Sequence, residues 1–223
     1  DQHLTFKINF FLMLNNFLFH SFNFLLTNIY NRNVKRFGYT PRGLFWNSKD
    51  SQFKRFKIIT KLIEENIDQK AIKIADVGCG YGDLLTYLQK ELKVKFHYDG
   101  YDINKQFIEL CKKKHKNINF FVSDSPSEVC DFSIMNGTYN FAVYENLKLW
   151  EKYLEYNLTK CFQKSDKGMI FSLQQAKYSE IVNSIYYVNK DLMQKKLMDL
   201  FKNVKSFYFE DTPRDIYFVI LKS

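Results

Sequence analysis

The stretch Ile74-Ala75-Asp76-Val77-Gly78-Cys79-Gly80-Tyr81-Gly82-Asp83-Leu84-Leu85 constrains this chain more than any other. A short apolar run closes around an acid. Three glycines follow at alternate positions, and an apolar run with helical spacing comes next. That order reads as a strand, a tight turn and the start of a helix. Glycine lets the backbone take left-handed angles and leaves no Cβ in the path of a ligand. A dinucleotide fingerprint is G-x-G-x-x-G. Here Gly78, Gly80 and Gly82 give G-x-G-x-G, and Asp83 stands where the third dinucleotide glycine would be.

The pattern around this turn alternates. Ser48 reads as an N-cap for a helix over 49–65, whose Phe53, Phe56, Ile59, Leu62 and Ile63 share a face. Strands are expected at 72–77, 95–101, 118–122, 132–135 and 168–173. Helices are expected at 82–92, 104–114, 144–161 and 191–202. Segments 204–210 and 215–221 close the chain as adjacent strands. Such alternation implies an α/β fold with a mostly parallel sheet and helices on both faces. No internal repeat or linker marks a second catalytic domain. The expected division is an N-terminal helix and loop over 1–48 and the main domain over 49–223.

Residues 8–31 carry no formal charge. Phe11, Leu14, Leu18, Phe22, Leu25 and Ile29 step by three or four. Asn9, Asn16, His20, Asn23, Thr27 and Asn31 do so on the opposite side. This predicts an amphipathic helix packed on the main domain as a cap. Membrane-surface contact through residues 8–31 is the alternative. A span is disfavoured, because the asparagines would need partners in lipid. A signal peptide fits poorly, without a basic start or a small-residue cleavage site. The chain starts at Asp1; Met13 is a plausible initiator, with 1–12 as an extension.

The 223 residues are 46% hydrophobic and 26% charged, a globular balance that excludes disorder of the whole chain. The net charge of +9 is spread along the sequence, so nucleic acid is an allowed but not favoured partner. Its densest knot, Lys112-Lys113-Lys114 with Lys116, falls at an expected helix end, where cations suit the dipole. Cys79, Cys111, Cys130 and Cys161 form no C-x-x-C, and the four histidines have no metal-ligand spacing. No metal is expected, and a reducing cytoplasm is the expected setting.

Several polar residues fall at the carboxyl ends of the expected strands, the edge where open α/β sheets bind ligands. They are Asp76, Asp102-Ile103, Ser123-Asp124 and Asn136-Gly137-Thr138. With the glycine turn, this set resembles the class I S-adenosylmethionine (SAM) methyltransferases over roughly residues 50–223. The resemblance implies a Rossmann-like, seven-stranded, mostly parallel sheet that ends in an antiparallel hairpin. It implies that Gly78, Gly80 and Gly82 admit the aminoacyl and ribose parts of SAM. Asp76 would orient the amino group, directly or through water. Asp102 would accept from the ribose hydroxyls, with Ile103 beside it; helix capping is its other reading. Asp124 would accept from the adenine amino group, or serve as a turn residue. Asn136 would offer its carbonyl to a polar acceptor or to the methionine moiety, beside Thr138.

A narrower resemblance reaches upstream. Trp46, Ser48, Gln52, Arg55 and Phe56 follow a G-W-x-S-x-x-x-Q-x-x-R-F pattern of a poorly characterised bacterial methyltransferase group, with Phe45 in place of its glycine. It implies that Trp46, Ser48, Gln52 and Arg55 line the SAM pocket, and that Arg55 pairs with the SAM carboxylate. A surface arginine on an amphipathic helix is the plainer reading.

SAM carries its own leaving group, so the protein mainly holds a nucleophile in line at about 3–3.5 Å. A base is needed only where the acceptor must lose a proton. No N-P-P-Y follows the fourth strand, which argues against exocyclic amines of nucleic-acid bases. The expected function is SAM-dependent methylation of an O- or N-nucleophile on a small-molecule acceptor, with a lipid or quinone at the membrane surface as a variant. A protein or RNA methyltransferase is one alternative, and a catalytically silent SAM-binding partner is another. The acceptor is expected beside Asn136 and Thr138. Segments 36–48 and 177–189, carrying Trp46, Tyr178, Tyr186 and Tyr187, are expected to form a lid.

Overall fold

The computed structural model describes the backbone of residues 2–222 and the side chains of residues 17–222. The chain divides into two compact units, residues 1–45 and residues 46–223.

The first unit is built on one helix, α1 (Gln2–Phe37), which extends well beyond the expected apolar stripe. It also absorbs the start of the loop expected at 36–48. The helix stops where Gly38 turns to φ +67 and its N–H donates to the Val34 carbonyl at 2.7 Å. A left-handed glycine is the usual stop for a helix, and Lys35 and Arg36 suit the dipole in the last turn. Pro41–Leu44 then form one 3-10 turn. The Asn33 amide holds that turn, donating to the carbonyls of Arg42 at 2.7 Å and Gly43 at 2.9 Å. The side chains of Phe11 and Leu14 lie outside the described residues. Among the described residues, no helix is long and apolar enough to cross a membrane.

The second unit opens with α2 (Lys49–Glu65) and then alternates: β1 (Ala71–Val77), α3 (Asp83–Glu91), β2 (Lys95–Asp102), α4 (Lys105–Lys114) and β3 (Asn119–Val122). After β4 (Cys130–Asn136) come α5 (Leu147–Gln163) and β5 (Ser165–Gln175). β6 (Glu180–Val182), β7 (Ile185–Val188), α6 (Lys190–Phe201), β8 (Val204–Phe207) and β9 (Asp215–Leu221) complete it. Strands β3, β2, β1, β4 and β5 pair in parallel in that order, and β9 then joins β5 antiparallel, with β8 beyond it. That is the expected seven-stranded core with its C-terminal hairpin.

Two further strands were read from sequence as loop. Val182-Asn183-Ser184-Ile185 is a two-residue hairpin turn with φ +51 at Asn183 and +63 at Ser184, the primed geometry that matches strand twist. The resulting β6–β7 hairpin pairs Gln174 with Tyr187 and Gln175 with Val188. Gln174 already meets Asp215 on its other edge. So β7 takes the edge of β5 that β4 leaves when it ends at Asn136. The hairpin therefore stands at the carboxyl edge of the sheet.

One face of the sheet is covered by α2 and α3. Phe56, Ile59, Leu62 and Ile63 of α2 and Leu84, Leu85 and Leu88 of α3 cluster with Phe132, Ile134, Ile170 and Val219. Residues two apart on a strand share a face. The same face therefore continues from Phe132 and Ile134 to Asn136, and from Ile170 to Ser172 and Gln174. Register aligns Asn136 with Ser172, Ser172 with Tyr217, and Gln174 with Asp215. The apolar rows give way to polar ones at the carboxyl edge.

Gly168 shows how close the β5–β9 pair runs. A Cβ there would stand 2.1 Å from the Ile220 carbonyl oxygen. Backbone cannot yield as a side chain can, so Gly168→Ala should lose about 1–3 kcal/mol. Urea unfolding followed by circular dichroism checks this.

Candidate functional site

All three glycines of the turn are left-handed: φ is +80 at Gly78, +54 at Gly80 and +72 at Gly82. A side chain at any of them would be strained. Gly78 is also crowded, since a Cβ would lie 2.6 Å from Thr138 Cγ2. The turn is pinned to the end of β2. The Tyr101 carbonyl accepts from the N–H groups of Gly78 at 2.7 Å and Cys79 at 3.0 Å.

Asp102 completes that attachment. One carboxylate oxygen accepts from the Gly80 N–H at 3.0 Å and the other from the Asn104 N–H at 2.8 Å. Helix capping itself falls to Asn104, whose side chain accepts from the Gln106 N–H. Burial pushes the Asp102 carboxyl up to about 6, opposed by the two backbone donors. Ile103, between Asp102 and Asn104, is half-buried.

Asp76 lies on β1 below the turn, and its partner is one the sequence did not reveal. The Tyr98 hydroxyl on β2 donates to it at 2.5 Å. Burial raises Asp76 to about 7, against the Tyr98 hydrogen bond, and the nearby Asp102 adds to the rise. Two carboxylates that ionise near neutrality thus flank the glycine turn.

The remaining expected cofactor residues have protein partners. Asp124 meets Lys160 of α5 in an ion pair, and Ser125 donates to it at 3.2 Å. Ser48 caps α2, accepting from the Ser51 N–H at 3.0 Å. Arg55 is not a surface residue. Its Nη2 pairs with Asp215 Oδ2 at 2.7 Å, and its guanidinium lies 5.1 Å from the Trp46 ring centre. Trp46 in turn presses on Gly137, where a Cβ would stand 2.9 Å from the indole.

At the end of β4, Asn136 is oriented opposite to expectation. Its carbonyl oxygen accepts from the Ser172 hydroxyl at 3.0 Å, while that hydroxyl accepts from the Gly137 N–H at 3.0 Å. The Asn136 amide nitrogen is buried without a partner. The free end is a donor, and the carbonyl expected to face a ligand is already engaged. The Thr138 hydroxyl donates to the Val77 carbonyl at 2.8 Å, closing the end of β1. Beyond it, Asn140 accepts from Tyr186 N–H at 2.8 Å and Ala142 donates to Ser184 at 2.8 Å. Segment 177–189 is therefore tied to this edge as a hairpin, and Tyr186 is core: it is buried and its hydroxyl reaches Glu151.

Tyr98, Ser172, Asp215 and Lys160 were missed in the sequence. Each is an ordinary strand or helix residue, linked to its partner only by strand order or helix packing. Asp215 alone left a trace, as the one charge in an otherwise apolar strand.

Residues 74–164 match a family model described as a methyltransferase domain. A ribosomal RNA small subunit methyltransferase A of Mesomycoplasma hyopneumoniae is 35% identical over 80 residues, covering 36% of this chain and 30% of that protein. The chain thus matches under a third of that relative's length. A methyltransferase of Mycobacterium tuberculosis is 25% identical over 121 residues, covering 52% of this chain and 72% of the relative. Among solved structures, a plantazolicin methyltransferase in complex with a monoazolic desmethylPZN analogue and S-adenosylhomocysteine (SAH) shares the fold. Its TM-score is 0.62 at 11% identity, with 94% of this chain and 100% of that chain covered.

Two outcomes follow for the carboxylates. Asp102→Ala should weaken SAH binding by about 1.5–3 kcal/mol, the size of a lost charge-assisted contact; calorimetry on the folded variant checks it. A ligand that brings an ammonium to Asp76 and hydroxyls to Asp102 favours their ionised forms and releases protons on binding. SAH affinity should therefore rise with pH through the window from about 6 to about 7 set by Asp102 and Asp76. Between pH 8 and pH 5.5 it should fall about tenfold or more. Calorimetry in buffers of different ionisation enthalpy would show the released protons.

Proposed function

We propose that this chain, which belongs to the class I SAM-dependent methyltransferases, moves the methyl group of SAM to an oxygen nucleophile of a small-molecule acceptor. Family, cofactor and reaction type rest on the family model, the curated relatives and the fold. The acceptor is the proposed part, and the buried, unpartnered amide nitrogen of Asn136 carries it. A buried donor without a partner is costly and calls for an acceptor atom. An alkoxide, phenolate or carboxylate oxygen satisfies an N–H and keeps a lone pair for the methyl. A protonated amine can do neither.

Ser172 fixes the amide in that orientation. The hydroxyl accepts from Gly137 and so spends its proton on the Asn136 carbonyl. Gly137, at φ +73, leaves room for the Trp46 indole against the backbone beside Asn136. Under this reading Gly78, Gly80, Gly82, Asp76 and Asp102 hold SAM from its aminoacyl end to its ribose. Asp124 and Ile103 flank the adenine side. Trp46, Ser48 and Arg55 attend the methionine end. Thr138 braces the turn after β4 through Val77. The plantazolicin methyltransferase, with its azole-containing acceptor analogue, lends the small-molecule class support.

Exocyclic base amines fit less well. A reader of such amines needs an acceptor at Asn136 and an accessible aromatic after it. Tyr139 is 3% exposed, packs against Tyr153 and passes its carbonyl to Trp150. It cannot stack on a base without leaving the core. Protein acceptors and a silent SAM-binding role are separated from this reading by product analysis.

Labelled SAM incubated with a metabolite extract should place label in small molecules that alkaline or acid treatment identifies as ethers or esters. With that acceptor, Asn136→Ala should lower turnover about 10- to 100-fold while SAH affinity moves less than about threefold, because the loss falls on acceptor and transition state. An equal loss in both would move Asn136 to the cofactor side.

A further inference from the structure

After Asp215, β9 runs Ile-Tyr-Phe-Val-Ile-Leu without another polar-charged residue. The Asp215 side chain is 1% exposed. A buried carboxylate is costly unless paired, and its partner is Arg55 at 2.7 Å. Arg55 is held from two further directions. Its Nη1 donates to the Ser51 carbonyl at 2.8 Å and to the Ser51 hydroxyl at 2.5 Å. Its guanidinium carbon lies 5.1 Å from the Trp46 ring centre.

What remains is a mismatch. An arginine and a carboxylate paired for their own sake close as a fork, with two parallel bonds. Here Nη2 and Oδ2 meet as an ion pair at 2.7 Å, while Arg55 Nε and both Asp215 carboxylate oxygens are buried without a hydrogen-bond partner. The guanidinium is fixed, yet its Nε–H bonds to no protein atom. Trp46 links the guanidinium to the end of β4, since the same indole that lies by Arg55 rests on Gly137 beside Asn136.

We infer that Asp215 is a positioning residue that holds Arg55 with its Nε–H left for the carboxylate of bound SAM. The inference rests on the reading of Arg55 as the partner of that carboxylate. Asp215 touches no part of SAM itself. Its charge works against its geometry: a carboxylate on one edge of the guanidinium repels a second one on the next. Fixing a long, flexible side chain before binding removes the ordering cost at the moment of binding. The geometric and electrostatic effects have opposite signs, so a charge-removing variant tells them apart.

The probes are SAH and its decarboxylated analogue, in which a propylamine replaces the amino-acid tail, measured by calorimetry on the full chain. Wild type should prefer SAH about tenfold or more, as expected for a charge-assisted pair. Asp215→Asn should reduce that preference to within about threefold and leave the affinity for the decarboxylated analogue unchanged, because only a carboxylate pairs with the guanidinium. Arg55→Lys should do the same. If Asp215→Asn melts below the assay temperature, Asp215→Ser, smaller and still polar, carries the same comparison. Unchanged or tighter SAH binding in a folded Asp215 variant overturns the inference, making Asp215 a mere competitor for Arg55. Equal affinity of wild type for the two probes overturns the Arg55 reading beneath it. Failure of wild type to bind either probe removes the SAM site as a whole.

Discussion

The grip of β2 on the glycine turn is the interaction on which the site depends. Three glycines at positive φ leave the loop only Cys79 and Tyr81 to pack, the first into the core and the second against Phe107. Left alone, such a segment would sample many conformations. The Tyr101 carbonyl takes two of its N–H groups, and Asp102 takes a third. The same Asp102 binds Asn104 at the head of α4. One carboxylate therefore sets the turn, the strand end and the next helix relative to each other. Thr138 does the corresponding work from the other side, bonding Val77 and packing against Gly78. The turn is held between β2 and the segment after β4, its neighbours across the sheet.

Much of this was legible because it is local. The strand, the glycine turn and the helix behind it run from Ala71 to Glu91, within twenty-one consecutive residues. Alternation of apolar strands and amphipathic helices gave the fold class and the C-terminal hairpin. The β6–β7 hairpin escaped because a charged and tyrosine-rich stretch suggested a lid, although Val182-Asn183-Ser184-Ile185 held a two-residue turn signal. The helix over 8–31 was read from its apolar stripe, but its length was not: α1 runs on to Phe37, into the segment that Gly38 and Pro41 marked as loop, and Gly38 is the stop.

The site was legible as a set of positions more than as a set of orientations. Sequence placed Asn136 at the edge of β4 but could not say which end of its amide would be free. Ser172, 36 residues away, decides that. Sequence placed Asp76 and Asp102 at the right edge but gave no partner for Asp76; Tyr98 becomes adjacent only once β1 and β2 pair in register. The Arg55–Asp215 pair joins the first helix of the domain to its last strand. No local pattern reports a contact across that much chain, and only the order β4-β5-β9 brings the two ends together.

The carboxyl edge stands against the economy of the rest of the sheet. Lower on the same face, Ile134, Ile170 and Val219 bury apolar surface under α2, the ordinary source of stability. At the edge, the equivalent positions carry Asn136, Ser172 and Asp215, and the glycine turn adds Asp76 and Asp102. Burial raises the proton affinity of all three acids. A carboxyl group whose native pKa is raised contributes stability that is fully present below its unfolded value and lost as pH rises through the native one. At neutral pH these acids therefore weaken the empty fold. Selection for stability alone would have continued the apolar rows to the end of the strands. A ligand that brings an ammonium, hydroxyls and an acceptor atom to the same edge supplies the partners that the chain withholds, and binding to the native state alone stabilises it by mass action. Under the proposed function, the polar edge is half of a bonding network whose other half is the cofactor and acceptor together.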